Sequence, residues 1–158
     1  LHDLETIENA ITAAETGHLV IGTLHTGDAA NTLNRLLDVF PPAQQAQIRT
    51  MTSGSLRGII CQKLIPASNG RLTIGYELLI NSMAVANIIS EGQAFKLKSV
   101  MQIGGKQGMC TFDQCLLGKY KAELISYEIA KFYIHDQAET LQLEREHAIR
   151  QAKQLRAN

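Results

Sequence analysis

Thr23, His25, Thr26 and Asp28 stand within one six-residue span. Two hydroxyls, an imidazole and a carboxylate so close together are the groups that meet a phosphate, orient a water or cap a helix. His18 lies seven residues before His25. In an extended segment an odd separation puts the two rings on opposite faces, and at ~3.3 Å per residue they stand roughly 23 Å apart. They therefore share no metal and form no dyad unless the chain turns back, which counts against a histidine-dependent hydrolase. A lone histidine in a buried strand is usually a satisfied structural residue. That reading suits His18. His25 lies at the carboxyl end of its run, where open α/β sheets bind ligands. For Asp28, helix capping is the competing role.

The remaining chemistry is defined largely by what is missing. A phosphate-binding loop needs Gly-x-x-x-x-Gly-Lys-Ser/Thr, whose backbone N–H groups, lysine and hydroxyl surround the phosphates and Mg²⁺. These 158 residues contain no such run. Gly104-Gly105-Lys106-Gln107 follows a helical pattern and has Gln where the hydroxyl belongs, so it reads as a loop. Cys61, Cys110 and Cys115 are odd in number and lack paired short spacing, so free thiols and no zinc site are expected. Arg35, Arg49 and Arg57 are candidate inter-subunit charges, with surface ion pairing as the alternative.

These groups must be positioned by an α/β chain. Asp3 caps a helix running to about Glu15, with Leu4, Ile7, Ile11 and Ala14 on its buried face. Leu19 to Leu24 reads as a buried central strand of a parallel sheet. Asp28 caps a helix with Leu33, Leu36, Leu37 and Phe40 on one face. Pro41-Pro42 stops it, and Pro42 opens another helix to about Leu56. Ile59–Ile65 and Leu72–Ile80 read as strands joined at Asn69-Gly70, a strong turn signal. Short helices follow, to about Ser90 from Asn81 or Ser82, over Ala94–Gln102, to about Leu124 from Thr111, and over Tyr127–Ile134 from Ser126. Asp136 with Glu139 suggests a capping box. The last helix runs to about Arg156, with Ala138, Leu141, Ala148, Ala152 and Leu155 as its apolar seam. That stripe spans under three heptads and favours one edge packed on the domain over a partner coiled coil.

Formal net charge is zero, so no general attraction to nucleic acid or anionic lipid is implied. No apolar run approaches the ~20 residues of a membrane span. The residues alone support an α/β domain with a polar cluster at a strand end.

Asp3-Leu4-Glu5-Thr6, Ala13 to His18, Gly22-Thr23-Leu24-His25-Thr26 and Arg35 to Phe40-Pro41 resemble the His box of the secretion-superfamily ATPases. Gly108-Met109 and Thr111-Phe112-Asp113 resemble the type IV pilus retraction (twitching motility) branch, the PilT/PilU-like proteins. The likeness runs from Leu1 to about Ser126. It implies a partial RecA-like (P-loop NTPase) core without its P-loop half over 1–80, and a C-terminal helical subdomain and tail over 81–158. His25 would be the γ-phosphate sensor and His18 the first His-box residue. Thr23, Thr26 and Asp28 would be nucleotide-adjacent. The resemblance further implies a homohexameric motor using ATP and Mg²⁺. It would sit in the cytoplasm at the inner-membrane face, working on an inner-membrane platform protein, with no nucleic acid and no membrane insertion. A piece lacking Walker A and Walker B would be inactive alone and would expose apolar sheet surface. Two positions depart from the family pattern. His2 stands where Arg is usual, and Ala84-Val85-Ala86-Asn87 replaces an Ala-Ile-Arg-like motif. The alternative is a non-catalytic assembly or regulatory module of a type II/IV secretion system.

Overall fold

The structure is a computed structural model describing residues 1–158. The chain is α/β, with eight α-helices and one antiparallel pair of strands. Residues separate into two compact units, Leu1–Cys61 with Glu77–Cys110, and Gln62–Tyr76 with Thr111–Asn158.

In the first unit, α1 (Leu4–Glu15) begins at Asp3, whose side chain accepts the Thr6 N–H at 2.8 Å. That bond holds the Asp3 carboxyl below its ordinary range. Ile7 and Ile11 are buried, whereas Leu4 is exposed, so the packing stripe is narrower than expected. The helix ends in a Schellman turn. Gly17 takes φ +94°, its N–H reaches Ala14 O, and the His18 N–H reaches Ala13 O.

α2 (Ala29–Asp38) is capped by Asp28, which accepts the Asn31 N–H. Its Leu33 and Leu37, with Phe40 just beyond its end, are buried. α3 (Pro42–Ser55) starts with proline, whose missing N–H costs nothing in a first turn. Ser82 caps α4 (Met83–Ser90), and α5 (Leu97–Ile103) follows a single 3-10 turn over Ala94–Lys96. Leu33, Leu79, Val85, Ile89 and Leu97 meet in one core cluster. Ile7, Ile11, Leu37, Phe40 and Ile48 form another.

Strand β1 (Gly58–Pro66) and strand β2 (Leu72–Ile80) form the expected hairpin. Gly70 at φ +78° closes its loop, and Asn69 Oδ1 accepts the Arg71 N–H. Along β2 the inward row carries Gly75, Glu77 and Leu79, all buried. A Cβ on Gly75 would lie 2.7 Å from the Phe112 ring, so glycine there admits the helix.

The expected central strand is corrected. Residues 19–24 belong to no strand, and Leu19 and Ile21 are 81% and 88% exposed. A strand exists only when a neighbour completes its ladder, and the one sheet in this chain is the β1–β2 pair. The segment keeps its apolar composition without a surface to cover it.

In the second unit, α6 (Phe112–Lys121) opens with a capping box between Thr111 and Gln114. It ends earlier than expected, because Glu123 takes φ +62°. α7 (Tyr127–Tyr133) is capped by Ser126. Ile65, Leu116, Leu117, Tyr120, Ile125 and Leu143 belong to the core of this unit.

α8 (Gln137–Ala157) packs on a different face from the expected seam. Glu139 and Leu143 are buried, whereas Ala138, Leu141, Ala148, Ala152 and Leu155 are exposed. Aromatic contacts decide the face. The His147 ring stacks on Tyr127 at 3.6 Å between centroids, and its Nδ1 lies 3.2 Å from Tyr120 Oη. The Arg150 guanidinium covers Tyr120 at 4.3 Å and donates to Lys121 O. Tyr127 Oη donates to Glu144 at 2.6 Å, which pushes that phenol up to about 12.

Asp136 caps α8 through the Ala138 N–H, but the expected capping box is absent. The Asp136 N–H goes to Asp113 Oδ2, which also accepts the His135 N–H. Glu139 is instead 5% exposed, and its Oε2 has no partner. Burial, then the hydrogen bond with Asp136, raises its carboxyl above the usual value near 4.5. The folded chain thus holds this proton more tightly than the unfolded chain. Stability from this group is full below about 4.5 and is lost as pH rises through the folded value. Glu139→Gln should therefore be more stable than wild type at pH 7. The gain should shrink as melts are repeated down to pH 4.5. A less stable variant at pH 7 would contradict this account.

Candidate functional site

The loop between α1 and α2 carries the polar cluster. Its backbone is extended without a partner strand, so its geometry is fixed from the α2 end. Thr26 Oγ1 lies 2.6 Å from Thr32 Oγ1, and Thr32 Oγ1 donates to Asp28 O at 2.7 Å. Asp28 spends both carboxylate oxygens on Asn31, one on its N–H and one on Nδ2. These bonds occupy Thr26 and Asp28 as helix-entry residues. Arg35, two turns into α2, donates from Nη1 to His25 O at 3.3 Å and ties the loop back over its own helix. Thr23 is exposed, and its carbonyl accepts the Leu1 amino group at 2.7 Å.

The His25 ring remains exposed and stacks against His2, with centroids 5.4 Å apart and planes 17° from parallel. His18 is held differently. Its Nδ1 lies 3.2 Å from both Ala13 O and Thr16 Oγ1, so the ring closes the end of α1. The structure thus gathers Thr26, Asp28, Arg35 and His25 around one helix entry and puts His18 at the end of another helix.

Arg49 and Arg57 are not part of this cluster. Arg49 lines a cleft of about 140 Å³ with Leu33, Asp38 and Ile89, and its Nε is buried without a partner. Arg57 lies between α3 and β1, where its carbonyl accepts the Asn81 N–H. Gly105–Gln107 forms one 3-10 turn, with Lys106 exposed. No group of three or more His, Cys, Asp and Glu side chains is arranged to hold a metal ion. The three cysteines are free; burial raises the Cys61 thiol above its ordinary range.

Sequence reading missed two partners of this site, both on the hairpin. Glu77 Oε1 accepts the Ala29 N–H at 2.8 Å, and Cys61 Sγ lies 3.6 Å from Thr32 Oγ1. A signal for Glu77 was present. Two-residue alternation puts it in the same row as Leu79, and a buried carboxylate requires a donor.

The fold of this chain matches parts of solved ATPase structures. The crystal structure of the pilus retraction motor PilT with bound ADP matches with TM-score 0.77 and 44% identity, covering 88% of this chain and 39% of that one. The Legionella pneumophila ATPase DotB matches with TM-score 0.72 and 30% identity, over 84% of this chain and 36% of that one. The chain belongs to the type II/IV secretion system protein family, whose model matches residues 1–157. Among curated relatives, the type IV pilus retraction ATPase PilT of Pseudomonas aeruginosa is 47% identical over 131 residues, 83% of this chain and 38% of PilT. The type IV pilus ATPase PilU of the same organism is 37% identical over 127 residues, 80% of this chain and 33% of PilU. The chain therefore spans between a third and two-fifths of the length of these relatives.

Proposed function

We propose that these residues are the C-terminal part of a hexameric motor ATPase that uses ATP hydrolysis to drive type IV pilus retraction. The observation that carries this reading is the match to the ADP-bound retraction motor over 88% of the chain. In this reading residues 1–80 are the C-terminal half of a RecA-like core and 81–158 a helical subdomain and tail. His25, exposed on a loop braced by Arg35, senses the γ-phosphate of ATP. Thr23, Thr26 and Asp28 lie beside the nucleotide, with Thr26 and Asp28 shaping the loop more than they touch phosphate. His18 keeps a structural role. Arg35, Arg49 and Arg57 are the inter-subunit candidates, and Arg35 is already committed within its own chain.

The residues here fit one half of a nucleotide site. They provide an exposed imidazole that can meet a phosphate oxygen. They include no Gly-x-x-x-x-Gly-Lys-Ser/Thr run to cradle the other phosphates and no group of three or more His, Cys, Asp and Glu arranged to hold a metal ion. ATP and Mg²⁺ would be held by further residues of a longer gene product. The partners would be further copies of the same subunit and an inner-membrane platform protein, with the motor at the cytoplasmic face of that membrane. No helix is long and apolar enough to cross a membrane.

One observation favours a second reading, a non-catalytic assembly or regulatory module of a type II/IV secretion system. α4 carries Ala84-Val85-Ala86-Asn87, where the resemblance implies an Ala-Ile-Arg-like motif tied to retraction. The two readings part on the full-length gene product. The motor reading expects ATP turnover and loss of twitching motility on gene deletion. A full-length product that neither binds nor hydrolyses ATP would decide for the module.

A further inference from the structure

We propose that Glu77 is a positioning residue for the His25 loop. Its buried carboxylate holds the entry of α2, and with it the Thr23–Asp28 segment, in the orientation that phosphate sensing needs. This inference rests on the reading of His25 given above.

Glu77 sits in the inward row of β2 and is 7% exposed. An apolar side chain there would join Leu79 in the core without desolvating a charge. What the carboxylate meets instead is a helix start. Oε1 accepts the N–H of Ala29, a residue with no exposed surface, at 2.8 Å across 48 positions of sequence. Ala29 is the first residue of α2, and four positions separate it from His25. An ionised acceptor on a helix N-terminal N–H is a strong bond, favoured further by the helix dipole.

The other bonds at this entry are local. Asp28 with Asn31, Thr32 with Asp28 and Thr26 with Thr32 fix the shape of the turn. They travel with it, so they do not determine where it points. Glu77, joined by Cys61 against Thr32, comes from the hairpin and sets the turn against the sheet. His25 belongs to a stretch with no ladder of its own; Arg35 of α2 holds its carbonyl, so the loop follows α2, whose entry Glu77 pins to the hairpin.

The test uses ATP turnover by the full-length gene product and amide exchange on the 158-residue chain. Glu77→Ala should lower kcat roughly ten-fold with KM changed less than about two-fold, because misplacement acts on the transition state. Glu77→Gln keeps a carbonyl acceptor and should recover most of that loss. In a His25→Ala background, Glu77→Ala should cost less than about two-fold, since both changes act through one imidazole. Equal costs in the two backgrounds overturn the assignment, as does a Glu77→Ala protein with normal kcat and only a lower Tm. On the 158-residue chain, Glu77→Ala should speed exchange at Ala29 and the preceding loop about ten-fold while the Leu79 amide keeps its protection. Unchanged exchange at Ala29 overturns the assignment whether or not ATP is turned over. Absence of turnover in the wild-type gene product overturns the motor reading, and the exchange measurement tells that failure from this one.

Discussion

The 158-residue chain, purified alone, should release phosphate from ATP no faster than buffer. Phosphoryl transfer is catalysed almost wholly by positioning and by charge stabilisation from a phosphate cradle, a metal ion and a group that orients the attacking water. This sequence has no Gly-x-x-x-x-Gly-Lys-Ser/Thr run, and no cluster in the structure is arranged to hold a metal. His25 is left as an imidazole on an exposed loop, stacked on His2. One hydrogen-bonding group without the rest supplies little of the rate. The deficit relative to an intact motor should be at least about a million-fold, the low end of enzymic acceleration. A coupled phosphate-release assay on the chain and on the full-length gene product measures it. Turnover by the chain within ten-fold of the full-length protein would refute the assignment of the cradle to other residues.

The second large effect separates the two histidines. In the full-length protein, His25→Ala should reduce kcat roughly a hundred-fold, about 2.7 kcal/mol, as removal of one group aimed at developing charge does elsewhere. KM should move less than about three-fold, because the interaction strengthens in the transition state rather than in the ground state. The His25 ring makes no bond that the fold depends on. Its one ring contact is the stack on His2, and the loop is held through the His25 carbonyl by Arg35, which alanine keeps. Melting temperature should therefore hardly change. His18→Ala should do the reverse. Its ring lies 3.2 Å from Ala13 O and Thr16 Oγ1 at the end of α1, so its loss should cost about 0.5–1 kcal/mol of stability with kcat within two-fold. The backbone Schellman bonds survive the substitution, which keeps the cost small. Kinetics and thermal melts on both variants decide the matter. Equal kinetic defects with unchanged stability would refute this division of roles.

These expectations draw unequally on sequence and structure. Where one segment contains both partners of an interaction, the sequence sufficed. Asp3, Asp28, Ser82, Thr111 and Ser126 cap the helices expected of them, because cap and N–H lie within three residues. Asn69-Gly70 closes the hairpin for the same reason, since Gly70 alone supplies the positive φ. The order of motifs from Asp3 to Pro41 carried the family resemblance, which needs identity and spacing but no contacts.

Tertiary structure decided whatever depends on a distant partner. Leu19 to Leu24 has the composition of a buried strand and is exposed, because pairing and burial belong to a neighbouring strand and not to the segment itself. α8 offers an apolar seam at heptad spacing, yet it packs through Glu139, Leu143, His147 and Arg150. The rings of Tyr120 and Tyr127 cover more apolar surface than alanines can and bond to the polar atoms they meet. Glu77 shows the limit most plainly. Alternation along β2 turns its carboxylate inward, but no local rule names Ala29, 48 residues earlier, as the donor that makes its burial affordable.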